Sequence, residues 1–260
     1  MSAGRILRLP RQAAGDGPLI LVNRTHPLRL AEETLQSRLG VAVTGYPDIL
    51  LEQTAADALQ ALLAACAAGN GIVPVSGYRS GREQETLYET SLRENGETFT
   101  KQYIAYPGTS EHQTGLAIDV GKAAREIDFI RPAFPYTGLC QRFRELAPAY
   151  GFIERYQAGK ETITGVAQEP WHFRYVGTPH ATLIARDGLT LEEYTASLQL
   201  CSLRSPRRLP DGTRIYVVPA GEDDTDIPLP AQGRVEISGN NAGGFVVTVR
   251  PETPPFDKSE

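Results

Sequence analysis

The sequence is poor in sulfur and in histidine: its 260 residues include three cysteines, one methionine, one tryptophan and four histidines. Cys66, Cys140 and Cys201 are odd in number, widely spaced and free of any CxxC pair. That argues against a disulfide framework and leaves three small buried hydrophobes as the expectation, in keeping with a reducing compartment. Long apolar runs are also missing. Nothing approaches the ~18 residues of a membrane helix. The opening "MSAGRILRLPRQAAGDGPLILV" offers only LILV against the ~7–15 apolar residues of a secretory core. The expectation is a cytoplasmic protein without anchor, or an exported one if a leader has been removed. Basic blocks are absent too. A net charge of −5, with "RSPRR" at 204–208 as the densest cationic stretch, excludes nucleic acid as the main partner. No internal repeat of ~20–50 residues is visible.

What is present suits a folded chain, because 41% of the residues are apolar and can build a core. "PLILVNRTHPLRL" reads as a short strand with an extended lead-in. In "PDILLEQTAADALQALLAACAAGNG", Leu50, Leu51, Ala55, Leu59, Leu62, Leu63 and Cys66 recur at steps of three and four, which predicts an amphipathic helix closed by Gly69. "GIVPVSGYRS" predicts a strand running into a loop. Then comes a helix capped by Ser80 and stopped at Gly96, followed by a loop through "TFTKQYIAYPG". "GLAIDVG" predicts a strand carrying Asp119, and "LCQRFRELAPAYGF" a helix ending near Gly151. Two strands around a turn near Gly159 are expected over 152–177, with a helix in "TLEEYTASLQL". Beyond residue 204 three short strands alternate with Gly-, Asp- and Pro-rich turns. The chain therefore divides into a main domain over 1–204, a small β appendage over 205–251, and a disordered tail over 252–260.

The scarce histidines mark the chemistry. "GTSEHQTGLAIDV" sets His112 seven residues before Asp119, and "EPWHF" sets Glu169 three residues before His172 with Trp171 between. A catalytic zinc typically takes three nitrogen, sulfur or carboxylate ligands and keeps one position open. His112 and Asp119 offer two such groups. The second stretch offers a third and a carboxylate to act as base. Singly, a histidine in a turn is more often a hydrogen-bonding group and an aspartate at a strand end a turn former. His26 beside Pro27 and His180 after Pro179 suit turns and receive no role.

Jointly, "SEHQTGLAIDV" and "EPWHFRYVG" resemble the two motifs of the zinc D-alanyl-D-alanine carboxypeptidase family, Ser-x-His-x-x-Gly-x-Ala-x-Asp and Glu-x-Trp-His. Every position is met, and "VSGYRSGREQ" and "YGFIERY" match further family segments, so the resemblance spans about residues 40 to 180. It implies His112, Asp119 and His172 as the ligands of one Zn2+ per chain, and Glu169 as the catalytic base. It implies Arg79 as the group that binds the substrate's terminal carboxylate, a task suited to a planar guanidinium. Ser110 and Gln84 are implied as further substrate contacts, and Gly115 as a point of close backbone approach. The implied fold is α+β, a central antiparallel sheet flanked by helices with a zinc cleft, to which the C-terminal β appendage is added.

The implied activity is removal of C-terminal D-alanine from peptides ending in D-Ala-D-Ala, with hydrolysis of the free dipeptide as a possible second activity. An L,D-carboxypeptidase acting on tetrapeptide stems and a non-catalytic module that binds wall peptides are the alternatives. The segments 95–107 and 157–168 are the candidates for setting the room upstream of the cut bond.

Overall fold

The computed structural model describes residues 4–252. Along them run the strands β1 (Ile6–Leu9), β2 (Leu39–Val41), β3 (Leu50–Glu52), β4 (Ile72–Ser76), β5 (Ala117–Lys122), β6 (Phe152–Tyr156), β7 (Glu169–Tyr175), β8 (Arg207–Arg208), β9 (Arg214–Pro219), β10 (Thr225–Pro228), β11 (Arg234–Gly239) and β12 (Gly244–Arg250). The helices are α1 (Glu32–Gln36), α2 (Gln53–Ala65), α3 (Gly81–Tyr103), α4 (Gly138–Leu146), α5 (Glu161–Thr164), α6 (His180–Asp187) and α7 (Leu191–Leu198).

The chain forms two compact units, one of Val22–Tyr194 and one of Met1–Leu21 with Thr195–Glu260. The divisions fall there rather than at 204, because β1 pairs antiparallel with β10, Ile6 opposite Pro228, and so joins the C-terminal strands. From residue 253 the tail expected over 252–260 lies outside the described residues.

The larger unit is built on an antiparallel sheet in the order β4-β5-β7-β6. One face of it is apolar. Ile118 and Phe173 are fully buried there, and Phe173 meets Phe143 of α4 edge to face at 4.9 Å between ring centres. Phe134 completes an aromatic cluster at 5.6 and 5.7 Å from the same two rings. Such pairs add about 0.5–1.5 kcal/mol each beyond their buried area. The other face carries Asp119 and His172. The smaller unit is a four-stranded sheet, β11-β12-β9-β8, beside the β1-β10 ribbon. Tyr216, Ile227, Phe245, Val247 and Val249 fill its core. This all-antiparallel α+β architecture is the expected one.

Several local expectations change. "PLILV" forms no strand. Leu19–Val22 are buried, but Leu19 N–H donates to Ser238 Oγ and Leu21 N–H to the Asn240 carbonyl, so a loop satisfies this backbone in place of a ladder. The helix expected from Leu50 starts at Gln53. Leu50–Glu52 pair with β2, and the Glu52 carboxylate accepts the Thr54 and Ala55 N–H groups as the cap. Past Gly96, which sits at φ +81°, the helix resumes and runs to Tyr103. The segment around His180, expected as a turn, opens α6. Cys66 and Cys140 are buried free thiols, while Cys201 is partly exposed.

Candidate functional site

The sheet register brings the two motifs together. Asp119 of β5 stands directly opposite His172 of β7 and opposite Ser76 of β4. Opposed residues of an antiparallel pair share a face, so Asp119 Oδ1 lies 2.8 Å from His172 Nδ1. The second oxygen, Oδ2, lies 3.2 Å from His112 Nε2. His112 sits in a 3-10 turn over Glu111–Thr114 that ends at Gly115 with φ +72°. A Cβ on Gly115 would meet Glu52 N at 3.0 Å, so glycine supplies both the left-handed turn and the close approach. His112 Nδ1 lies 2.7 Å from the Gly77 carbonyl. A carbonyl only accepts, which puts a proton on Nδ1 and leaves Nε2 as the atom that faces Asp119.

Glu169 and His172 pose a geometric question, because residues three apart on a straight strand point to opposite faces. The strand is not straight here. Between the pairs Phe173–Glu154 and Glu169–Tyr156, β7 advances four residues while β6 advances two. This bulge brings Glu169 Oε2 within 3.8 Å of His172 Nδ1. A second bulge lies between Pro74 and Ser76 of β4, just before Arg79. Bulges re-aim side chains in this way beside functional sites.

His112, Asp119 and His172 are buried, and one candidate ligand atom from each can be chosen so that all lie within 4.8 Å of one another. Two imidazoles and a carboxylate make the donor set of a three-ligand catalytic metal site. Burial works against charge on Asp119, yet the two histidines outweigh it and hold the carboxyl well below the usual range. Burial likewise opposes protonation of His172, but Asp119 and then Glu111 and Glu169 lift it to about 10. Burial, reinforced by the charges of Asp119 and Glu111, raises Glu169 to about 8 against the pull of His172 and Arg79.

These groups face a cavity of about 230 Å3 whose lining includes Arg79, Ser110, His112, Asp119, Glu169, Trp171 and His172. The lining therefore holds every predicted catalytic, metal-ligating and substrate-binding residue except Gln84; Gly115, the predicted point of close backbone approach, also lies outside it. The Gln84 side chain is buried behind Arg79. Its Oε1 accepts from Arg79 Nη1 at 2.8 Å, and its Nε2 donates to the Ala105 carbonyl at 2.7 Å. Ser76 Oγ holds the other arm of Arg79 at 2.8 Å. Both segments expected to set upstream room contribute wall, through Lys101–Ala105 and Thr162–Val166. They are tied together by the Ala167 N–H donating to the Gln102 carbonyl.

The sequence reading missed three buried charges beneath the site. Glu111 Oε1 accepts from Arg155 Nε at 2.9 Å and from Arg174 Nη1 at 2.7 Å. All three side chains are closed to solvent. Tyr156, whose ring centre lies 5.0 Å from that of His172, was missed as well. The available signal was slight: Arg155 and Arg174 are charges within strands, and Glu111 stands in the 3-10 turn beside His112.

Comparison with known proteins gives one family and close relatives. The family described as D-alanyl-D-alanine carboxypeptidase, VanY, matches residues 48–178. The chain is 44% identical over 177 residues to the bifunctional D-Ala-D-Ala dipeptidase and D-Ala-D-Ala carboxypeptidase VanXYC of Enterococcus gallinarum, covering 68% of this chain and 92% of the relative. Among solved structures it resembles the vancomycin-resistance D,D-dipeptidase VanXYg, in complex with a D-Ala-D-Ala phosphinate analogue. The TM-score is 0.91 at 46% identity, over 95% of this chain and 98% of that one. It also resembles a D,D-pentapeptidase VanY from a VanB-type resistance cassette, solved as a mutant with Zn(II). There the TM-score is 0.55 at 30% identity, over 68% of this chain and 98% of the other.

Proposed function

The chain belongs to the VanY family of D-alanyl-D-alanine carboxypeptidases and is a hydrolase of that family, and from this premise we propose that it is a zinc peptidase releasing D-alanine from D-Ala-D-Ala, both as the free dipeptide and at the end of peptidoglycan precursors. The observation that carries the reading is the convergence of Arg79, Glu169 and the His112–Asp119–His172 cluster on one cavity. At about 230 Å3 it is smaller than the ~300–1,000 Å3 of pockets for drug-sized ligands. That size suits a dipeptide or the last two residues of a stem.

His112, Asp119 and His172 would hold the zinc. When bound, zinc supplies Lewis acidity, polarising the scissile carbonyl and acidifying a water. Arg79, held by Ser76 and Gln84, takes the terminal carboxylate through two parallel hydrogen bonds. Gln84 serves by positioning Arg79, since both ends of its amide are engaged. Ser110 faces the substrate from the cavity wall. Glu169 takes the proton from the attacking water and returns it to the leaving amine, so that D-alanine departs. A carboxyl whose affinity for protons lies near neutrality suits a group that must accept and then donate. Trp171 and Tyr156 line the site and limit water around the exchange.

An activity panel tests this. D-alanine release is expected from D-Ala-D-Ala and from the pentapeptide, and none from a tetrapeptide ending in an L,D bond. Glu169→Ala should keep its zinc and lose at least ~100-fold in turnover. Cleavage confined to the tetrapeptide would make the protein an L,D-carboxypeptidase. Binding without D-alanine release would make it a wall-peptide binding module.

A further inference from the structure

Beneath the donor cluster the buried charges form a closed set that reaches the cavity wall at Glu111. Glu111 engages Arg155 and Arg174 through Oε1. Arg155 turns its other two nitrogens onto both oxygens of Glu192, at 2.8 and 2.6 Å. Two acids thus balance two guanidiniums. The set leaves Glu111 Oε2 facing His172 Nε2, 3.5 Å away, and neither atom has a hydrogen-bond partner among the described residues. Two facing buried polar atoms with nothing else to bond are rare in folded proteins. Both nitrogens of His172 therefore face a carboxylate, Nδ1 at 2.8 Å from Asp119 Oδ1 and Nε2 at 3.5 Å from Glu111 Oε2, and a carboxylate can only accept. If Nδ1 gives up its proton to take a metal, the proton that stays is the one on Nε2, facing Glu111.

We infer that Glu111 is a positioning residue for the metal site. It fixes the Nε2–H tautomer of His172, and Arg155 and Arg174 fix Glu111. The inference rests on the reading of His112, Asp119 and His172 as metal ligands and adds to it a buried support running to Glu192 at the start of α7. The two histidines are then held in opposite tautomers. The Gly77 carbonyl keeps the proton of His112 on Nδ1, and Glu111 keeps that of His172 on Nε2. A carboxylate behind a ligating imidazole also raises the basicity of the ligating nitrogen.

The substitution Glu111→Gln separates this role from packing. The arginines hold the amide oxygen where Oε1 was, which turns the amide NH2 toward His172 Nε2. Two donors then face each other, and the ring shifts its proton to Nδ1, the atom that should hold the metal. Full-length wild type, Glu111→Gln and Glu192→Gln are stripped with chelator. Their Zn2+ affinity is measured by competition with a chromophoric chelator, and their fold is followed by circular dichroism. Glu111→Gln should remain folded and bind Zn2+ about 10–100-fold more weakly. Glu192→Gln removes the outer acid and leaves the Glu111–His172 contact, so it should lose stability and keep near wild-type affinity. Equal Zn2+ affinity in Glu111→Gln and wild type, or an equal loss in both variants, overturns the inference. If Glu111→Gln fails to fold, the imidazole 15N spectrum of zinc-loaded wild type decides. A proton on Nε2 of His172 is expected, and a proton on Nδ1 overturns the role. Wild type that binds no Zn2+ would instead sink the metal reading on which this one stands.

Discussion

Glu169 is the residue whose chemistry can be read most directly from stability. In the metal-free protein its carboxyl titrates near 8 in place of 4.5, first because it is buried. Between those values the folded state holds a proton that the unfolded chain has released, so stability falls as pH rises, by up to ~1.4 kcal/mol per pH unit. His172, Asp119 and Glu111 act in other windows. His172 is raised from 6.5 to about 10 and so binds its extra proton only above 6.5. Asp119 and Glu111 are depressed from 3.8 and 4.5, and their contribution changes only below those values. His112, lowered from 6.5 chiefly by burial, acts below that value with the opposite sign; because it is present in both wild type and a Glu169 variant, their difference from about pH 5 to about 6.5 isolates Glu169. Urea unfolding of chelated wild type and Glu169→Gln should show the variant gaining relative stability across that window, by up to ~1.4 kcal/mol per unit. A constant difference would mean that Glu169 is ionised throughout. His112, Asp119, Glu169 and His172 were legible in the sequence because their types and spacing recur in a known family. Glu111, Arg155 and Arg174 were not, because a charged residue in a turn or a strand reads as a solvent-facing one until its partner, 44 or 63 residues away in the chain, is known.

At the scale of elements, α3 is the platform for substrate recognition. Ser80 and Glu83 form a reciprocal cap, with Ser80 Oγ accepting the Glu83 N–H and Glu83 Oε2 accepting the Ser80 N–H. This sets the start of the helix immediately after Arg79, and Gln84, in its first turn, grips the guanidinium. Gln84→Ala should therefore raise KM severalfold, in line with one lost hydrogen bond of ~0.5–1.5 kcal/mol, while Zn2+ affinity stays unchanged. If kcat and Zn2+ affinity fell together instead, Gln84 would belong to the metal centre rather than to the carboxylate clamp. The start of α3 was legible because Ser-x-x-Glu is a capping pattern. Its continuation past Gly96 was not, because a glycine at φ +81° interrupts the helix without ending it, and the resumed turns supply cavity wall through Lys101–Tyr103. The bulges were likewise hidden. Pattern places β7 and gives Glu169 and His172 three positions apart, but only the pairing with β6 reveals how both reach one site.

At the scale of the molecule, the chain leaves one compact unit at residue 21 and returns to it at 195. A four-residue strand at the N-terminus is too short to signal this by pattern, whereas β9, β11 and β12, bounded by glycine-rich turns, announced the smaller unit. The consequence is measurable because the chain's single tryptophan, Trp171, lies in the larger unit beside His172. A ligand that binds only the folded state stabilises it by RT ln(1 + [L]/Kd), about 4 kcal/mol at a thousandfold excess over Kd. Zinc held by His112, Asp119 and His172 acts on the larger unit alone in the first instance. Thermal unfolding followed by tryptophan fluorescence should therefore move upward on adding Zn2+ to chelated protein, by several degrees, ~2–4 °C per kcal/mol for a unit of this size. Circular dichroism in the β region also reports β8–β12. It should show a second component that does not follow the metal if the two units melt separately, and a single metal-dependent transition if they melt together. A tryptophan transition insensitive to Zn2+ would contradict the placement of the metal beside Trp171, whichever way the units couple.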